Sequence, residues 1–291
     1  MIRKGDNLRR YYALRSIWDR NMTTIFVKLG GSLLTDKRQM EMPRQAVIQR
    51  LAHEIQRARL ARPDLRIVLG HGSGSFGHVH AKTHDTRAGV TSAEQWLGFA
   101  KTADAAARLN RIVVAELLAA GVPAWSIQPS VALRCADGRV ATGPDGTVLA
   151  ALARGLLPVI YGDVALDAVR GGTIASTEEI FQALDDSLLP SRIILAGEVG
   201  GIYNADPLVE PGATLIPLVT PASFAQIRAG LGGSHGVDVT GGMAAKVEQV
   251  LGWIAKRSEL SVLICSGLEP DNLYHALVGE PYAVGSWVRA A

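Results

Sequence analysis

Apolar positions along the chain follow two alternating rhythms. Short runs such as TTIFVKL from Thr23, RIVLG from Arg66 and SRIILAG from Ser191 are aliphatic almost throughout and lead into glycine, the mark of strands buried on both faces. Between them the spacing changes. In PRQAVIQRLAHEIQRARLA, Pro43 stands near the first turn, and Val47, Leu51 and Ile55 form a stripe that stops before Pro63. Similar patterning predicts helices over roughly 92–120 and 147–155, and over STEEIFQALDDSLL, PASFAQIRAG, TGGMAAKVEQVLGWIAKR and EPDNLYHALVG. Further strands are expected in PAWSIQP, LLPVIYGD and ELSVLICSG, with a last one near 283–288. Strands alternating with helices predict an α/β fold with a mainly parallel sheet covered on both faces. Ligands in such sheets bind at the carboxyl ends of the strands.

Composition narrows the picture. A chain of 291 residues, 48% hydrophobic and 20% charged, suits one large α/β domain or two lobes, with a soft boundary near ALDAVRGG at 165–172. The net charge of +3 is dispersed and aromatics make up 5%, which argues against a nucleic-acid partner. No run of about 18 apolar residues occurs, so no membrane-spanning helix is expected. Cys135 and Cys265 lie far apart and in no metal spacing, which fits a reduced, cytoplasmic compartment. Residues 1–22 are Arg-rich without an apolar segment; they read as a loosely ordered extension and not as a secretory signal. Only 7 of the 30 basic residues are lysine, and Lys28, Lys37 and Lys246 sit beside glycine-rich segments.

The segment GHGSGSFGH, residues 70–78, matches two phosphate-loop patterns and satisfies neither. A dinucleotide site wants an acid about 20 residues on at a strand end; Glu94 has the distance but a helical context. A P-loop wants Lys and Ser/Thr after its last glycine, and His78-Val79 stands there. What survives is an anion-binding turn, in which Gly72-Ser73-Gly74 offers backbone N–H groups and His78 donates to a phosphate oxygen. A tight turn with a surface histidine fits equally well. VKLGGS places Lys28 at a strand end before Gly30, Gly31 and Ser32, and Lys37 follows in a polar loop. VDVTGGMAAK sets Thr240 as an N-cap, Gly241 and Gly242 at a helix mouth, and Lys246 about one turn in, with Met243, Val247 and Ile254 as core. In YGDV, Gly162-Asp163 follows a buried strand, where the carboxylate either orients a lysine or starts a turn. Four such loops describe a site for two phosphorylated groups, and phosphoryl transfer is the chemistry it suits.

The order KLGGS, HGSGSFGH, YGDV, TGGM-x-x-K resembles the amino acid kinase superfamily, and within it the isopentenyl phosphate kinase family, to which GSFGH and SIQPS (126–130) point. The resemblance runs from Thr23 to about Val288. It implies a three-layer αβα sandwich, usually a cytoplasmic homodimer, with an acceptor-binding lobe at 23–168 and an ATP-binding lobe at 169–291. The implied reaction converts ATP and isopentenyl phosphate to ADP and isopentenyl diphosphate with Mg²⁺, a step of isoprenoid biosynthesis in the mevalonate pathway. By the same resemblance Lys28, Leu29, Gly30, Gly31, Ser32, Gly74, Glu178, Gly242 and Lys246 contact ATP, while Ser73, His78 and Gly162 hold the acceptor phosphate. Lys28 and Lys37 act on the transferring phosphoryl group and Asp163 orients a lysine; no residue is assigned to metal. Val79, Ala81, Trp96, Phe99 and Ala103 are candidates for an apolar tail slot. Two departures stand out: Ser176-Thr177-Glu178 where the family usually has Ser-Gly-Asp, and Glu198-Val-Gly-Gly201 where it often has Asp-Val-Asp-Gly. A kinase for a phosphonate of the fosfomycin type, or a nucleotide-binding sensor without catalysis, are the alternatives.

Overall fold

The computed structural model describes residues 22–36, 38–207, 210, 212–228, 242–279 and 284–291, apart from the side chains of His78, Val79, His80 and Lys82. The extension expected over residues 1–22 therefore lies outside them, save Met22.

In chain order the elements are β1 (Thr23–Leu29), α1 (Gly31–Leu34), α2 (Gln45–Ala61), β2 (Leu65–His71), α3 (Gly74–Thr83), α4 (Ala93–Ala119), β3 (Ala124–Ser126) and α5 (Pro129–Ala132). Next come β4 (Arg134–Ala136), β5 (Arg139–Thr142), α6 (Asp145–Leu152), β6 (Leu157–Tyr161), β7 (Asp163–Asp167), β8 (Gly171–Ala175), α7 (Thr177–Leu188) and β9 (Arg192–Gly197). The chain ends with β10 (Leu218–Val219), α8 (Pro221–Ile227), α9 (Gly242–Lys256), β11 (Ser261–Ser266), α10 (Asn272–Val278) and β12 (Gly285–Val288).

The expected sheet is present, with eight strands among the described residues in the order β10-β12-β11-β9-β1-β2-β6-β3. Every pairing is parallel except β11 with β12. Its central strands alternate between two cores. Ile25, Val27 and Leu29 of β1 and Leu65, Ile67 and Leu69 of β2 pack under α2, α4 and α10. Phe26 and Val68 face the other way, toward α6, α7 and α9. This is the αβα sandwich that the alternation of elements predicts, and the alternation within β1 puts Lys28 on the Phe26 side.

A second sheet, β5-β4-β7-β8, is not foreseen by the hydrophobic pattern, because its strands are only three to five residues long. Turn chemistry carries the missing signal. Asp137 and Gly138 both have positive φ, 51° and 75°, and link β4 to β5 as a two-residue hairpin turn. The buried Asp167 carboxylate accepts N–H bonds from Asp137, Gly138, Val169 and Arg170 at 2.7–3.1 Å. These donors outweigh its desolvation and hold its pKa down at about 2. The division expected between residues 168 and 169 falls in the turn joining β7 to β8. Helix α3 is also additional to the sequence expectation; it begins at Gly74, inside the quoted glycine segment. Among the described residues no helix is long and apolar enough to cross a membrane.

Candidate active site

β1 and β2 run side by side in register, Leu29 opposite His71, and β9 flanks β1 with Ala196 opposite Leu29. All three strands end at the same level, so the turns that follow meet there. Gly30 N–H donates to Ala196 O at 2.8 Å and Gly72 N–H donates to Leu29 O at 3.1 Å. The two glycine turns then abut directly. A Cβ on Gly31 would come within 2.7 Å of Gly74 Cα, and one on Gly74 within 2.6 Å of Gly31 O. Gly74 also has φ of 50°, in the left-handed region. Thr35 stitches them, its hydroxyl donating to Gly31 O at 2.9 Å and accepting from Ser75 N–H at 2.9 Å. At the start of α3 the N–H of Ser75 is taken by Thr35 and those of Phe76 and Gly77 by Ser73 O, so what opens onto this place is the backbone of Gly31 and Ser32 on one turn and of Ser73 and Gly74 on the other. Leu29, Gly30, Gly31, Ser32, Ser73 and Gly74 are thus brought together.

Lys28 is the last residue but one of β1, just before these turns, and its ammonium is paired with Glu178 Oε1. Glu178 is buried in the first turn of α7, whose N-terminus Ser176 and Glu179 close as a reciprocal capping box. The helix dipole favours an acid at that position. The sequence expectation gave Asp163 the lysine-orienting role; for Lys28, the described partner is Glu178. Asp163 lies at 1% exposure, takes N–H bonds from Ser130 at 3.1 Å and Val164 at 2.8 Å, and so secures the turn at SIQPS. Burial raises its pKa, with the Ser130 and Val164 donors opposing.

Gly162 joins the cluster through its N–H, which donates to His71 O at 3.1 Å. His78 lies on α3, with its side chain outside the described set, and Lys37 is outside it altogether, as are Thr240 and Gly241. Gly242 opens α9, and Lys246 is half-buried on that helix. Of the tail candidates, Trp96 and Phe99 make an edge-on pair at 5.2 Å beside Gly171 and Gly172 of β8. Ala81 and Ala103 are half-buried, and Val79's side chain is not described. Glu94 lies in the first turn of α4, which removes the ribose-binding reading.

Sequence reasoning missed two features here. Glu198 holds Arg44 at 2.8 Å, so the charge retained in Glu-Val-Gly-Gly serves an ion pair with the start of α2. The second is His71, fully buried at the end of β2. Its Nδ1 is 3.0 Å from Gly72 O, its Nε2 is 3.0 Å from Asn110 Nδ2, and Asn110 Oδ1 accepts from Ser126 Oγ at 2.5 Å. Desolvation lowers the imidazole pKa to about 4. The signal was available, since strand alternation from Leu65 and Leu69 points residue 71 into the α4 core.

Comparison with known proteins bears on the family and the fold. The sequence pattern of the amino acid kinase family matches residues 23–266. The chain is 34% identical over 264 residues to an isopentenyl phosphate kinase from Methanothermobacter thermautotrophicus, covering 88% of this chain and 96% of that one. It is 36% identical over 234 residues to an isopentenyl phosphate kinase from Haloferax volcanii, covering 79% and 88%. A crystal structure of isopentenyl phosphate kinase superposes with a TM-score of 0.77 at 29% identity, covering 91% of this chain and 99% of that one.

Proposed function

The chain belongs to the amino acid kinase family, and on that premise we propose that it transfers the γ-phosphoryl group of ATP to the phosphate of isopentenyl phosphate. The observation that carries this reading is the pair of interlocked glycine turns beside Lys28, at the carboxyl ends of adjacent parallel strands. The identities to named isopentenyl phosphate kinases over most of the chain support the choice of acceptor.

The chemistry follows from the charges. A phosphate monoester has its second pKa near about 6, so at neutral pH the acceptor is already nucleophilic without a general base. An acceptor oxygen bonds to the γ-phosphorus as the bond from that phosphorus to the β–γ bridging oxygen breaks, and ADP leaves with the electron pair. The turns supply amide donors, and Lys28 neutralises charge accumulating on the transferring group. Lys37 adds a second ammonium in this proposal, while Ser73, His78 and Gly162 hold the acceptor. Gly242 and Lys246 hold ATP.

Mg²⁺ enters as the ion carried on the nucleotide phosphates. Among the described residues no three His, Cys, Asp or Glu gather into a metal-sized cluster, and Glu178 and Glu198 are each engaged by a cation. The described donors alone make no metal site, and no step is assigned to one. The acceptor lobe at 23–168, the ATP lobe at 169–291 and a cytoplasmic homodimer complete the proposal, with isoprenoid biosynthesis by a mevalonate route as its setting.

The test is ADP release from ATP and Mg²⁺ with isopentenyl phosphate, dimethylallyl phosphate, geranyl phosphate, fosfomycin, glutamate and UMP as acceptors. Turnover on isopentenyl phosphate well above the other classes is expected. Activity confined to fosfomycin or glutamate would keep the kinase and discard the acceptor.

A further inference from the structure

His71 sits where three parts of the site converge, and its hydrogen bonds admit a single proton assignment. Gly72 O can only accept, so Nδ1 carries the hydrogen; bare Nε2 then accepts from the Asn110 amide, and Asn110 Oδ1 accepts from the Ser126 hydroxyl. Tyr161, its register partner on β6, stacks on the ring at 5.5 Å and closes the remaining side. With the Gly72 carbonyl held inward, peptide planarity turns the N–H of Ser73 away from the core, toward the mouth of the turn.

The main chain of the same residue faces the other loop. His71 O accepts from Gly162 N–H at 3.1 Å and from the Thr177 hydroxyl at 2.7 Å. Thr177 is 1% exposed and immediately precedes Glu178, the partner of Lys28. A glycine at position 177 would have no hydroxyl to make this link.

We propose that His71 and Thr177 form a positioning joint that sets the phosphate-facing turn at Gly72–Gly74 relative to the Lys28–Glu178 pair, neither residue touching substrate. Through its ring His71 fixes the orientation of the turn. Through its carbonyl it receives the start of α7, and with it the carboxylate that aims Lys28. The inference rests on the phosphoryl-transfer reading of this site and assigns that site two residues the reading does not use.

The experiment compares Thr177→Val, which keeps the shape and loses the donor, with Thr177→Ser, which keeps the donor, and adds His71→Phe, which keeps the stacked ring and loses both nitrogens. Assays run well below each variant's melting midpoint, with ADP and inorganic phosphate binding measured by calorimetry beside turnover of isopentenyl phosphate. Thr177→Val is expected to lower kcat about tenfold or more, with ADP affinity within about threefold and Thr177→Ser close to wild type. His71→Phe is expected to weaken inorganic phosphate binding and raise the acceptor KM about tenfold, again sparing ADP. A fall in melting midpoint with kcat, KM and phosphate affinity unchanged would overturn the joint and leave the two residues as packing. Absence of wild-type turnover on isopentenyl phosphate would count against the acceptor alone; the joint would then stand or fall on whether His71→Phe weakens phosphate binding.

Discussion

Two basic side chains stand near the ends of neighbouring strands of one sheet and are treated in opposite ways. Lys28, the last residue but one of β1, points to the Phe26 face and is met by a carboxylate at a helix N-terminus. His71, at the end of β2, points to the Leu69 face and is met by a carbonyl, an amide and a stacked ring. One position keeps a charge available beside the glycine turns; the other removes a charge so that the same turns have a rigid floor. Burial alone does not decide which happens. Lys28 retains about a sixth of its side-chain exposure and a counter-ion, whereas His71 has neither exposure nor an acid among its described hydrogen-bond partners. A charge inside a protein persists where it is paired and otherwise gives way to the neutral form.

The largest effect should come from the charged side. Lys28→Ala is expected to cut kcat by about 10²–10³ while ADP binding falls much less, as judged by steady-state kinetics beside calorimetry. Equal losses in both would make Lys28 a binding residue only. The neutral side should show itself in stability. The His71 pKa is depressed from 6.5 to about 4, so the unfolded chain takes up a proton in a range where the folded one does not. Its contribution is therefore complete above about pH 6.5 and lost as pH falls toward 4, about 3 kcal/mol in all. Urea midpoints recorded between pH 7 and 4 should decline, and His71→Phe should flatten that part of the decline; an unchanged slope would mean the imidazole is not held neutral.

A smaller contrast separates the two carboxylates. Glu178→Gln, which leaves Lys28 with a neutral partner, should lower kcat about tenfold. Asp163→Asn should leave kcat within about threefold and cost about 1–2 kcal/mol of stability through the loosened Ser130 turn. The reverse ranking would support the lysine-orienting role expected for Asp163. Smallest of all, Arg44→Ala should cost under about 1 kcal/mol in a denaturant titration and less in high salt, since that pair with Glu198 is a third exposed on each side.

Much of this was readable along the chain. The glycine turns announced themselves, and Lys28, Gly30, Gly31, Ser73 and Gly74 do meet. Helix α3 was obscured because glycine and histidine carry weak helix propensity and gave no apolar stripe over GSFGHVH. The small sheet was obscured because strands of three to five residues are too short for periodicity to register, although Asp137-Gly138 marked one of its hairpins.

The sequence by itself determined the alternation of strands and helices, the positions where only glycine lets two backbones touch, and the face of each strand on which a side chain emerges. These depend on local stereochemistry and on a period of two. The tertiary structure alone decided which partner each side chain meets. Glu178 lies 150 positions from Lys28, Asn110 lies 39 from His71, and Thr177 lies 106 from the same residue. Those separations are closed by helices docking on opposite faces of the sheet, and docking depends on how all the apolar surfaces pack together, which no local stretch of sequence contains.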